Sequence, residues 1–566
     1  MRAAAHGPRV AIAIAVLSAV ALSACGASSS ADAERRRDRE EAEWEREGRE
    51  SPERRAEEAA NGEFDAKIAP PAPTQRFTGR TAAAVSFSGD LRDVANITPV
   101  KKLRPEAMIP SMIPGGGAKA DPLVRNAPKP TGPLAPAPAP IATGDGLDFG
   151  AFGTGWPPDT TGDVGPNHYI QAVNGSVGIY TKSPLTRVVG LSLNAFFTGA
   201  GASGPCATAN QGDPTVVYDQ YSGRWIVSGF AWPAAISAGP YYQCIAVSKT
   251  ADPVAGGWWV YSVVASTTAL NDYPKMSVWA DGIYLTANMF TKASTFAGSR
   301  VWAFNRDDLI SGATLRFVSF QTSSSYASLL AANARASAVP AGTPQYLVSL
   351  GTSTSLRVWR MSVNWTTPSA STLTGPTSVT VASYTRAPSA TQPTGDRLDA
   401  LSDRLMNRVQ YTSTGTPSLW ATHSVSSSSR GAIRWYQVDV SGTTPKIRQS
   451  GTYAPDTGNH RWMGSIAVDK VGNAAVGYTM SGAAAYPSLR YAGRSAAATL
   501  GTFDQTERIL VAGTGAQKGG YNRWGDYSDL ALDPDGCTFW YTGEYYATTG
   551  SAWRTRIGSF KLPGCA

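Results

Sequence analysis

Arg404, Arg461 and Arg523 recur at spacings of 57 and 62 residues, each opening a similar stretch of chain. A guanidinium presents a rigid planar fork of donors, so three of them brought together would grip a carboxylate or sulfate by bidentate, charge-assisted hydrogen bonds. Asp163, Asp213 and Asp272 recur at comparable spacings of 50 and 59 residues. Carboxylates about 5–9.5 Å apart can act as acid and base, or acid and nucleophile, on a glycosidic bond. Asp163, Asp213, Asp272 and Glu544 therefore form the candidate catalytic set. The candidate ligand-binding set is Arg404, Arg461, Arg523, Asp526, His460, Tyr273, Trp462 and Trp524. The aromatic members, with Trp156 and Tyr527, offer faces that stack on sugar rings without any catalyst. A purely structural role competes, because charges at equivalent positions of a repeat also pair across neighbours and fix their register.

Other chemistries leave no trace in the sequence. His168, His423 and His460 show no zinc-ligand spacing, and no Asp-x-Asp-x-Asp loop marks a calcium site. No cofactor is expected, with a calcium ion on the acidic half of the ring as the alternative. Phosphate loops, nucleophile elbows and dinucleotide fingerprints are absent. Asp469, Asp533 and Asp535 sit in tight turns, where aspartate caps its own backbone.

The elements that must position these residues are short strands. The chain has 566 residues with 16% charged, and 16 Trp, 23 Tyr and 16 Phe supply a core, which excludes wholesale disorder. The net charge of +8 is not gathered into basic runs interleaved with aromatics, so nucleic acid is not an expected partner. From about Gly146 onward, runs of Val, Ile, Tyr, Trp and Thr are broken every 8–12 residues by Gly, Pro, Asp or Ser. Such texture belongs to all-β folds. A strand, a tight turn and an aromatic-bearing strand recur with the period of the Asp and Arg positions. The 132 residues from Asp272 to Arg404 hold two periods, with Pro344–Leu350 and Leu356–Met361 supplying the strands of an atypical unit. The expected fold is a seven-bladed β-propeller over 145–566, with six blades and an irregular insertion as the alternative.

Preceding it are a signal peptide (1–24), a Glu/Arg-dense spacer (25–63) and a Pro/Ala/Gly-rich linker (64–144), parts of which can lie on the domain. Leu22-Ser23-Ala24-Cys25 resembles the lipobox of bacterial lipoproteins, which implies a diacylglyceryl anchor on Cys25 and a lipid-tethered, extracytoplasmic chain at the cell membrane or surface. Four cysteines remain, with Cys206–Cys244 and Cys537–Cys565 the expected local pairs of three connectivities. The strings Pro157 to Tyr169, Leu398 to Met406, His460 to Ala467 and Arg523 to Tyr527 resemble a group of bacterial secreted β-propeller proteins. That resemblance implies fold and export but no activity. More remotely the architecture is similar to the sialidase superfamily, which implies an arginine triad, a carboxylate-tyrosine pair at Glu544 and an acidic sugar; the Ser-x-Asp-x-Gly-x-x-Trp string of that superfamily is missing here. The expected role is a monomeric propeller that binds glycan or another extracellular ligand, such as a protein, at its channel mouth. A glycosidase or lyase of acidic sugars is the alternative, and an envelope scaffold is the third reading.

Overall fold

In strands such as Tyr241–Ser248, Gly282–Thr291 and Ala474–Gly482 nearly every residue is buried, so both faces need cover, and stacking one small sheet on the next provides it. The computed structural model describes residues 74–99, 109, 111, 113–128, 132–233, 236–519 and 522–566. The expected signal peptide, the lipidation site Cys25 and the charged spacer lie outside the described residues. The described chain forms seven small sheets arranged as a seven-bladed β-propeller, so the six-blade alternative is not adopted. Blade 1 spans 161–192, blade 2 212–266, blade 3 269–321, blade 4 330–380, blade 5 410–453, blade 6 459–511 and blade 7 529–561.

The innermost strands contact one another in sequence around the ring, from Thr161–Val164 to Gly212–Asp219 and on to Ala269–Trp279. The ring continues through Leu330–Ala331 and Asn333–Ala334 to Gln410–Thr412, Asn459–Val468 and Asp529–Leu532, which returns to Thr161–Val164. Ala142–Asp148 pairs antiparallel with Arg554–Lys561, so the first strand of the domain completes the last blade and closes the wheel. Between blades, aromatic side chains interdigitate: Tyr169 stacks on Trp540 at 5.3 Å, and Trp279 meets Tyr411 edge-on at 4.9 Å. Each such ring removes roughly 150–250 Å² from water, worth about 4–6 kcal/mol before entropy is counted.

The Pro-rich stretch before the propeller lies on it along much of its length. Gln75–Arg80 adds a fifth strand to blade 3 and Val85–Phe87 adds one to blade 2. Further on, Asp121 pairs with Arg434 in full burial, and Ile109, Ile113 and Ala137 are buried. Between blades 4 and 5 the segment 381–409 contains no strand; with blade 4 it fills the long Asp272–Arg404 interval, and it folds over one end of the ring.

Both expected disulfides are formed, closing 38 and 28 residues. Loop-closure entropy gives each about 3–4 kcal/mol. Replacing Cys206 and Cys244 together by alanine should therefore lower the melting temperature by several degrees, measured by calorimetry against the oxidised wild type. An unchanged melting temperature would show that blade 2 does not rely on this bridge.

Candidate functional site

Two layers of charge lie on the axis of the wheel. The first is an ionic clasp. Arg408, at the start of blade 5, donates from Nε and Nη2 to the two Asp529 oxygens at 2.9 Å each, and from Nη1 to Asp163 Oδ2 at 3.0 Å. Arg335 donates to Asp163 Oδ1 at 3.1 Å and to the carbonyls of Leu532, Tyr218 and Val164. Asp163 also accepts from the backbone of Val164 and Tyr218, and Asp529 from Thr161 and Gly162. Blades 1, 2, 5 and 7 are thereby tied together across the axis. Burial alone would lower the Arg408 pKa, but Asp529 and Asp163 outweigh it and hold the guanidinium above its ordinary value.

The second layer sits at the mouth, on a backbone device repeated from blade to blade. Asp213, Tyr273 and Met463 occupy bulges in the innermost strands of blades 2, 3 and 6, with φ of 42°, 55° and 55°. Asp159 and Asp526, just before the innermost strands of blades 1 and 7, have φ of 51° and 52°. Left-handed backbone at a non-glycine residue costs of order 1–3 kcal/mol and collects at functional sites. Its effect here is to turn Asp159, Asp213, Tyr273 and Asp526 into one cluster.

Lys275 lies at the centre of that cluster, only 3% exposed. Its Nζ stands 3.6 Å from the ring centroids of both Tyr273 and Tyr527. Burial pushes its pKa down to about 8, against the pull of Asp213, Asp159 and Asp526. Arg404 caps the Tyr273 ring at 4.8 Å and pairs with Asp403 at 2.8 Å, while Arg523 pairs with Asp526. Asp159 is buried, and its Oδ1 has no hydrogen-bond partner among the described residues. Burial, with Asp526 and Asp213 nearby, raises its pKa well above the carboxylate range, opposed by Arg523 and Lys275. Glu544 is likewise pushed up by burial; its Oε2 accepts from the Gly525 amide at 2.7 Å, and Tyr546 adjoins it.

Of the residues singled out from sequence, Asp213, Tyr273, Arg404, Arg523 and Asp526 meet at the mouth, with Glu544 beside Asp526. Arg461 does not join them. It lies against blade 6, where Glu507 Oε2 at 2.9 Å and Asp456 at 2.6 Å neutralise it, so the expected three-arginine grip is not formed. Asp163 is consumed by the clasp, and Asp272 pairs in register with Asn288 on the rising strand. Trp462 and Trp524 are fully buried core, 6.0 Å apart, and not stacking platforms. Trp156 is half-buried, donating to the Ser551 carbonyl. His460 accepts from the Gly431 amide through Nδ1 at 3.0 Å. No group of three His, Cys, Asp or Glu able to hold a metal occurs among the described residues.

Sequence reasoning missed Asp159, Lys275, Arg335 and Arg408 as site residues. Arg335 carried a signal, as the lone charge in the mostly apolar run Leu329 to Ala338. A charge so placed must be buried with a partner.

Burial, with Arg430 and Arg397 nearby, lowers the His460 pKa to about 4. The unfolded chain takes up this proton near pH 6.5 whereas the native one resists it, so stability from His460 is present above pH 6.5 and is lost as pH falls towards 4. His460→Asn should flatten the acid limb of a urea-unfolding pH profile across that window. An identical limb in the variant would show that His460 titrates alike in both states.

No family model matches the chain, and no curated protein matches it significantly. Among solved structures it is similar to an endo-arabinase from Bacteroides thetaiotaomicron (10% identity, 64% of this chain and 97% of that one, TM-score 0.29). It is also similar to the arabinanase of Bacillus subtilis (10% identity, 71% and 93%, TM-score 0.25). A third likeness is to Drosophila Plexin A in complex with Semaphorin 1b (7% identity, 76% and 88%, TM-score 0.32). Likeness at this level assigns no activity, and the fold rests on the seven sheets themselves.

Proposed function

We propose that this chain is an extracytoplasmic binding propeller, tethered through a lipid on Cys25, that takes a glycan or another extracellular ligand at the mouth of its ring. The observation that carries this reading is the convergence of Asp159, Asp213, Tyr273 and Asp526, from four blades and all on costly left-handed backbone, around the buried Lys275. The clasp already ties the axis together, so a second charged layer with a buried carboxylate oxygen lacking a partner is more than closure requires. Mixed donors, acceptors and aromatic faces suit a polyhydroxylated ligand. Two disulfides support an oxidising compartment.

Binding is favoured over turnover because Arg404 and Arg523 are each already paired with a carboxylate. One observation favours the hydrolase alternative: burial raises the pKa of Asp159 beside the carboxylates of Asp526 and Asp213, the direction a general acid needs.

A glycan array with purified protein, followed by an assay for reducing-end release from any binder, separates the two. Binding without release is expected. Asp159→Asn should abolish binding while leaving the melting temperature equal or higher, since it removes a buried carboxylate that two neighbouring carboxylates oppose and whose Oδ1 has no hydrogen-bond partner among the described residues. Undiminished affinity in that variant would remove the mouth from the binding site, and release of reducing ends would establish the hydrolase.

A further inference from the structure

Where the outermost strands of blades 7 and 1 face each other, an open cleft of about 300 Å³ is lined by Asp145, Gly146, Asp148, Arg187, Arg554 and Thr555. It lies away from the mouth cluster and shares no residue with it. The volume is at the low end of the roughly 300–1,000 Å³ usual for small-molecule sites, the scale of a mono- or disaccharide.

The lining is held in place from behind. Arg187 lies over the Phe152 ring at 4.6 Å, which fixes the plane of its guanidinium. Asp145 accepts from Arg556 at 2.7 Å and from the Tyr545 hydroxyl at 3.2 Å, and Asp148 accepts from the Ala151 amide at 3.0 Å. At the floor, a Cβ on residue 146 would stand 2.3 Å from Thr555 Oγ1 and 2.5 Å from the Gln171 side chain, so only glycine fits and the floor stays bare. Arg187 and Arg554 are both exposed, and neither is ion-paired with a carboxylate among the described residues. Arg187 also contacts the Tyr180 hydroxyl, so two guanidiniums without a carboxylate partner among the described residues face the cleft together with two fixed carboxylates.

That combination selects a ligand class. A phosphate or other compact dianion would meet the two aspartates, whose like charge opposes it. A neutral sugar would offer both guanidiniums only hydroxyl oxygens, without an anionic acceptor for their bidentate forks. A sugar acid satisfies every group, because its carboxylate takes the guanidinium forks and its hydroxyls donate to the aspartates. We propose that this cleft is a binding site for a small sugar acid, with Arg187 and Arg554 holding the carboxylate and Asp145 and Asp148 accepting from the ring hydroxyls.

The test is calorimetric titration of the wild-type protein with galacturonate and digalacturonate, with glucose and inorganic phosphate as comparators, at low and high salt. Uronate is expected to bind, more weakly at high salt, and to bind more tightly than phosphate or glucose. Arg187→Gln with Arg554→Gln should weaken uronate at least about tenfold, since each charge-assisted bond is worth well over a factor of ten. Lys446→Gln, which removes an exposed cation on blade 5, should leave uronate affinity unchanged. Should the double variant melt lower than wild type, Arg554→Gln alone, at an exposed side chain, still reads the site. Equal uronate affinity in these variants, no uronate binding to wild type at millimolar concentration, or tighter binding of phosphate would each overturn the proposal. Loss of uronate binding in Asp159→Asn would reassign the ligand to the mouth.

Discussion

A propeller has a topological weakness: its inner strands ring an axis with little to fill it, and only one seam stops the wheel from opening. Here the axis is filled by charge. Arg408 spans from blade 5 to Asp163 of blade 1 and Asp529 of blade 7, and Arg335 adds carbonyls of blades 1, 2 and 7. Taking such groups out of water costs several kcal/mol per ion, which is returned only if nearly every donor and acceptor finds a partner. In this clasp, both carboxylates also accept backbone or hydroxyl hydrogens, so the requirement is met. The seam itself, where Ala142–Asp148 pairs with Arg554–Lys561, lies at the rim and is held by ordinary ladder hydrogen bonds. Ions at the centre and strand pairing at the edge divide the work of closure.

With closure secured, the mouth can carry features that detract from stability. Left-handed aspartates and a tyrosine, a lysine sandwiched between two tyrosine rings and a carboxylate oxygen without a partner would each be selected against in a purely structural hub. They collect in one place, roofed by the strand-free segment 381–409, where a rigid scaffold stores strain and mismatched polarity. The aromatic residues around it, Trp462, Trp524, Tyr527 and Tyr546, belong to the packed core that holds the cluster in position.

The fold was legible from sequence because its signals are local and repeated: turn residues every 8–12 positions and a period near 60 define blades whatever their neighbours do. The two disulfides followed from the same locality. The site was legible only in part, and the reason is the twofold period of a strand, in which a shift of one residue points a side chain to the opposite face. Aligning Asp213 with Asp272 puts the repeat one position out, since the bulges equate Asp213 with Tyr273 and leave Asp272 on the ladder. Arg461 shows the same effect, two residues before its blade's left-handed Met463 and turned to Glu507 on the blade face. Bulges have no sequence mark strong enough to be counted in advance, so the spacing of Asp and Arg located the blades without giving the direction of each side chain.

The central claim is that a charge network across the axis, and not blade-to-blade packing alone, locks the wheel. A double-mutant cycle on Arg408→Met and Asp529→Asn, read as unfolding free energy in urea, tests it most directly. The account predicts that the two singles are each destabilised by about 3–5 kcal/mol and that the double falls short of their sum by at least about 2 kcal/mol. Additive losses, or singles within about 0.5 kcal/mol of wild type, would contradict it.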